Sequence, residues 1–193
     1  MSEGGADRAM PRIDGMRVVV LVAEGVEDLE YWVTVMRLRE AGAQVTSVGL
    51  TLDTVKGKNG LDARADRLVG EVDAATIDGL VIPGGWAPDK LRRHAEVTGL
   101  VRAVHEAGKP IGIICHGGLV AISAVIIESG HPATGSLGIR DDLVNAGAQW
   151  FDEPAIRDGN LVWGRVVADI PDFNRELVAL LAEQATPAGV PRA

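Results

Sequence analysis

The sequence predicts an α/β fold with a mainly parallel central sheet and helices on both of its faces. Three observations predict it. Short apolar runs rich in Val and Ile alternate with helix-period segments along the whole chain, the order expected of βαβ units. The runs are apolar at every position rather than every second one, as in strands buried on both faces. Two of them, ending at Ile82 and Ile114, lead directly into glycine-rich turns, where open α/β sheets place their sites.

Met16–Ala23 (MRVVVLVA) is the first such strand. Glu27–Gly42 follows with apolar residues at Leu29, Trp32, Val33, Met36 and Leu38. Its acids lie early and its bases late, as the helix dipole favours. Gln44–Leu50 reads as a second strand, and the polar, glycine-interrupted stretch 53–72 as a hairpin or edge insertion. Asp78–Gly85 is a buried strand entering a turn, and a helix over about 97–107 leads to the strand that Cys115 ends. A helix over 116–127, another near 140–146, strands around 150–156 and 161–166, and a terminal helix over about 171–183 complete the order. One domain is expected over 16–184, with a flexible extension over 1–15 and a fraying Pro/Ala-rich tail over 185–193.

Composition narrows the function. At 47% apolar and 24% charged, the chain of 193 residues is an ordinary globular one. Its 19 basic against 27 acidic residues, a net charge of −8, argue against a nucleic-acid binder. The longest apolar runs fall short of a membrane span, and the N-terminus lacks the apolar core of a secretory signal. A single cysteine excludes an intramolecular disulfide framework and fits the cytoplasm, and four scattered histidines give no metal-ligand spacing. No metal or cofactor is expected.

Cys115 and His116 stand in PIGIICHGG, at a strand end followed by a helix start. There helix amides favour an anion, so the thiol pKa is expected to fall. A buried structural cysteine explains the same pattern. Two further loops share that end of the sheet. AEGVEDLE puts Glu27 and Glu30 on one helix face; a protonated carboxyl there could support a thiolate, while dipole matching alone also accounts for acids in a first turn. PGGWAPD offers backbone N–H groups at Gly84 and Gly85 for half of an oxyanion hole, or simply a turn needing positive φ. Trp86 could wall the pocket, and Asp89 could cap a helix or orient His116. Neighbours at a sharp elbow need not face each other, so His116 can act through its backbone N–H, its imidazole, or both. His94, His105 and His131 are read as solvated.

In register, these segments resemble the ThiJ/PfpI superfamily, and most of all its PfpI-type intracellular cysteine protease branch. The resemblance spans about Met16 to Leu181 and rests on GVEDLE (25–30), GKNG (57–60), LVIPGGWAPDKLR (80–92), GKPIGIICHGG (108–118), GIRDDLVNAGAQW (138–150) and DGNLVWGR (158–165). It implies a flavodoxin-like three-layer sandwich, similar to class I glutamine amidotransferases, and a homodimer or a larger ring of dimers. It also implies that Cys115 is the nucleophile, Glu30 its carboxyl partner, and Gly85 and His116 the oxyanion donors. His116 would be the general base, oriented across a subunit boundary by an acid at the Asp89 position. Glu27, Gly84, Trp86, Gly117 and Arg165 would complete the pocket.

Members are described as peptidases, glyoxalases, deglycases, isonitrile hydratases or redox-responsive chaperones. Three positions depart from the branch pattern: Asp89 replaces a glutamate, Ser136 a tyrosine, and Gly164-Arg165-Val166-Val167 a Ser-Arg-x-Pro run. The expected function is therefore thiol-based chemistry on small electrophilic carbonyls, glyoxalase- or deglycase-like, ahead of true proteolysis on a peptide. The alternatives are a non-enzymatic redox-sensing stress protein or chaperone, an isonitrile hydratase, and a catalytically silent relative.

Overall fold

The computed structural model describes residues 11–185. The ends of the expected extension and tail, residues 1–10 and 186–193, lie outside the described residues. Residues 11–15, placed in the flexible extension by sequence, are docked: Ile13 is buried, its N–H donates to Ala41 O at 2.9 Å, and Gly15 N–H donates to Gly42 O at 3.0 Å.

The strands form as the apolar runs predict. β1 (Arg17–Val22) leads into α1 (Asp28–Glu40) and β2 (Gln44–Gly49). The expected insertion is an antiparallel hairpin, β3 (Thr54–Lys56) with β4 (Asp62–Arg64), followed by the short edge strand β5 (Arg67–Leu68). β6 (Gly79–Ile82), α2 (Ala87–Leu91), α3 (Ala95–Glu106), β7 (Ile111–Ile114) and α4 (Gly118–Ala124) come next. β8 (Pro132–Ala133), α5 (Arg140–Asn145), β9 (Gln149–Trp150), β10 (Ala155–Asp158), β11 (Leu161–Gly164) and α6 (Ile170–Gln184) complete the chain.

Seven strands pair in the order β10-β11-β7-β6-β1-β2-β5, all parallel except β10. From β1 the chain moves outward to β2 on one side, then crosses to β6 and β7 on the other. The switch point therefore lies between β1 and β6, and their carboxyl ends open a crevice there. α1 and α6 cover one face; α3 and α4 pack on the other. α6 lies close to the sheet because β7 carries Gly112: a Cβ there would sit 2.9 Å from Phe173 Cζ.

Three elements differ from expectation. The single strand around 150–156 is divided into β9 and β10, because Pro154 interrupts it and β9 pairs with β8 instead. The helix over 116–127 begins as a 3-10 turn, Cys115–Gly117, and ends at Ala124. The third concerns α1, whose core face is Tyr31, Thr34, Val35 and Leu38 together with buried Asp28 and Glu30. Leu29, Val33 and Met36 point outward, at 47%, 39% and 61% exposure. An apolar stripe at i, i+4 and i+7 on the solvent side is a surface that association with a second copy would bury. His131 is likewise not simply solvated; its ring lies between Asp158 Oδ2 (2.8 Å) and Glu128 Oε2 (3.0 Å).

If that stripe joins two copies, sedimentation velocity at micromolar concentration gives a dimer or larger species for the wild type and a lower mass for Met36→Glu. A wild type that sediments as a monomer removes the expectation.

Candidate active site

Three carboxyl-end loops converge at the switch point. The loop after β1 runs beside the turn after β6, joined by Glu27 N–H to Gly84 O (3.1 Å) and Trp86 N–H to Gly25 O (2.7 Å). This pairing needs Gly85 in its left-handed conformation (φ 78), since a Cβ there would lie 2.4 Å from Glu27 N and from Gly25 O. Gly84 lies wedged between two reactive groups: a Cβ there would be 2.7 Å from Glu30 Oε2 and 2.8 Å from Cys115 Cβ. PGG and CHGG thus meet, as expected.

Cys115 has φ 58. A left-handed backbone at a residue with a Cβ is strained, and such strain collects at nucleophile elbows. Its half-buried thiol reaches His116 Nδ1 at 3.3 Å, so the two neighbours do face each other. The N–H groups of His116 and Gly85 are directed at the sulfur. Trp86 N–H is not available, being bonded to Gly25 O. Glu30 is fully buried; its Oε2 accepts Gly84 N–H at 2.7 Å. Among the described residues Oε1 has no hydrogen-bond partner of ordinary geometry, and the Cys115 thiol interacts with the carboxyl.

The electrostatics reverse one expectation. Burial, and then the Glu30 carboxylate, push the Cys115 thiol up to about 12, against the pull of the His116 and Gly85 amides. The dipole argument fails because α4 begins only at Gly118 and is seven residues long. Burial also raises Glu30 to about 7. His116 is lowered by burial and by the charge of Lys58, so its imidazole is neutral near neutral pH. Above about pH 7 the thiol therefore rests protonated beside an ionised carboxylate and a neutral imidazole, two groups able to accept its proton.

A cleft of about 330 Å³ opens over the sulfur. Glu27, Glu30, Lys58, Gly85 and Trp86 line one part of it, and His116, Ser136 and Val166–Ala168 another. Trp86 is 63% exposed at the rim. Gly84 and Gly117 lie behind the lining, Gly117 against the Ile82 carbonyl. Arg165 is turned away from it: its guanidinium bonds Asp169 (2.9 and 3.2 Å) and Asp152 (2.6 Å), and Val166–Ala168 supply that wall. Asp89 is exposed on α2, pairs with Arg93, and is not among the residues lining the cleft with His116. Sequence reasoning missed Lys58. It stands within the GKNG segment, yet only the hairpin's path over α1 brings it to the cleft.

A profile of the DJ-1/PfpI family matches residues 16–180. The chain belongs to that family. Deglycase PfpI of Pyrococcus furiosus is 36% identical over 166 residues, spanning 86% of this chain and 99% of that protein. YraA of Bacillus subtilis, named provisionally as a cysteine protease, is 38% identical over 166 residues, spanning 86% and 98%. A crystal structure of a two-domain Anabaena variabilis protein with DJ-1/ThiJ/PfpI-like and ferritin-like domains matches with a TM-score of 0.83 at 35% identity. That match covers 92% of this chain and 50% of the other, so this chain spans half the length of the Anabaena protein. The mainly parallel three-layer sheet is the flavodoxin-like arrangement of the DJ-1/PfpI family.

The raised Glu30 carries a stability consequence. Its folded pKa of about 7 exceeds its unfolded value, so its contribution is fully present below pH 4.5 and is lost as pH rises through 7. Glu30→Gln should therefore raise Tm over the wild type at about pH 8, by the equivalent of up to about 3 kcal/mol, and much less at about pH 5. Equal Tm differences at both pH values in thermal melts would contradict the burial argument.

Proposed function

We propose that this protein is a cysteine-nucleophile enzyme acting on small α-oxoaldehydes and their thiol or amine adducts, a glyoxalase- or deglycase-like activity. The observation that carries the reading is the strained left-handed Cys115, aimed into the cleft beside a buried carboxyl, a neutral imidazole and two amides. Strain of this kind costs about 1–3 kcal/mol and persists where a site requires it. The deglycase name of the Pyrococcus relative supports the same class. The size of the cleft favours a few-carbon substrate over a folded polypeptide.

In this reading an adduct first reverts in the cleft to the aldehyde and its parent amine or thiol. The Cys115 sulfur then attacks the aldehyde carbon. An S–C bond forms, the C=O π pair moves onto oxygen, and the S–H proton passes to His116 Nδ1, 3.3 Å away. Gly85 and His116 N–H groups receive the oxyanion. The Glu30 carboxylate takes the proton from the former aldehyde carbon, whose oxyanion closes to the thioester carbonyl, and returns it to the adjacent carbon. His116 passes the proton it took from sulfur to that adjacent carbon's oxygen, which becomes the hydroxyl. The product is the thioester of a 2-hydroxy acid, formed without an external oxidant. Water then cleaves the thioester, restoring the thiol and releasing the acid; overall, one water is added per aldehyde. A role as redox sensor has weaker support, because a thiol pushed up to about 12 supplies little thiolate for oxidation. Homo-oligomerisation in a reducing cytoplasm remains part of the proposal.

Cys115→Ser should lower methylglyoxal turnover by about a thousandfold or more, as loss of a covalent nucleophile does. Lactate formation followed enzymatically checks it. Undiminished turnover by the serine variant would remove the covalent route.

A further inference from the structure

The turn between β3 and β4, residues 57–61, reaches the mouth of the Cys115 cleft and is held there by a buried acid. Asp28, 2% exposed, accepts the N–H groups of Asn59 (2.6 Å) and Leu61 (2.8 Å). Lys58 N–H donates to Val26 O at 2.8 Å. Fixing an exposed turn with a buried carboxylate costs desolvation of the charge. What the turn delivers to the cleft is Lys58. Its side chain is 43% exposed, and Nζ lies 3.3 Å from Glu27 Oε2. Asn59 Nδ2 holds the other oxygen of Glu27 at 3.0 Å. An ammonium carries three donors, so one long contact with Glu27 leaves two for a ligand.

Among the described residues, Lys58 is the one Lys or Arg that lines the cleft. The chain's net charge of −8 repels anions at long range, so an anionic substrate depends on a local cation to enter. We infer that Lys58 selects carbonyl substrates whose reacting fragment carries a carboxylate, by pairing with that group while the carbonyl carbon meets Cys115. This deepens the proposed function and rests on Cys115 being a reachable nucleophile. The charge of Lys58 also acts on His116 and Glu30, consistent with a cation near the reacting atoms.

The chain's single cysteine makes alkylation a one-site probe. Second-order rates with iodoacetate, which carries a carboxylate, and with neutral iodoacetamide are measured for wild type, Lys58→Met and Lys58→Arg at fixed pH and low salt. Lys58→Met should lower the iodoacetate-to-iodoacetamide rate ratio about fivefold to tenfold, the size of one partly screened ion pair. Lys58→Arg should keep it within about twofold of wild type. Added salt should lower the wild-type ratio relative to that of Lys58→Met, in which only the long-range repulsion is left to screen. A ratio unmoved by Lys58→Met, or a salt response identical in wild type and Lys58→Met, overturns the inference and leaves the nucleophile standing. Because the resting thiol is protonated, both rates are expected to be low but finite. A folded wild type left wholly unlabelled by both reagents at about pH 9, where the unfolded chain is labelled, overturns the proposed function as well.

Discussion

The wedge of Gly84 between Glu30 and Cys115 is the constraint on which the site depends. The turn after β6 can enter that gap only without a side chain, and from there Gly84 N–H fixes the Glu30 carboxyl. The same turn presents Gly85 N–H to the sulfur. On the far side, Cys115 holds a backbone conformation that residues with a Cβ rarely adopt. The buried strands β1, β6 and β7 supply the rigidity to hold it, because all three are parallel and covered on both faces. Sheet, turn and Cys115 form one mechanical unit.

Its electrostatics follow from exclusion of water. A buried carboxyl and a buried thiol each resist ionisation; the carboxylate makes the thiol harder still to ionise, while the thiol, as a hydrogen-bond donor, partly eases ionisation of the carboxyl. Such a pair stores a proton more readily than a charge. Under the proposed function the sulfur gives up its proton only when substrate arrives, and the resting site holds a thiol rather than a standing thiolate. The neutral His116 ring and the two amides are placed for that moment. Lys58 and Glu27 at the mouth set the charge a substrate meets first.

Much of this was legible in the residues. β1, β6 and β7 announce themselves as unbroken apolar runs, and the turns after β6 and β7 announce themselves by their paired glycines. Convergence of Glu30, Gly85, Cys115 and His116 follows from strand order. The orientation of α1 did not: its apolar residues Leu29, Val33 and Met36 face outward while Glu30 and Thr34 face the sheet. Local pattern is overridden there because the site needs an acid inside. The raised thiol was hidden because dipole reasoning counts the helix and not the depth of burial. Arg165 reads as a pocket residue by position, yet two nearby carboxylates, Asp152 and Asp169, take its guanidinium. Lys58 lies 57 positions before Cys115 and is brought to it only by the hairpin's path across α1.

The most direct measurement is acid quenching during methylglyoxal turnover, followed by intact mass and peptide mapping. If a covalent bond to this sulfur is the reacting step, one substrate-derived increment per chain appears during turnover, on the peptide containing Cys115, and decays as substrate is exhausted. Turnover with every Cys115 peptide unmodified, or with the increment only on lysines or arginines, would contradict the account.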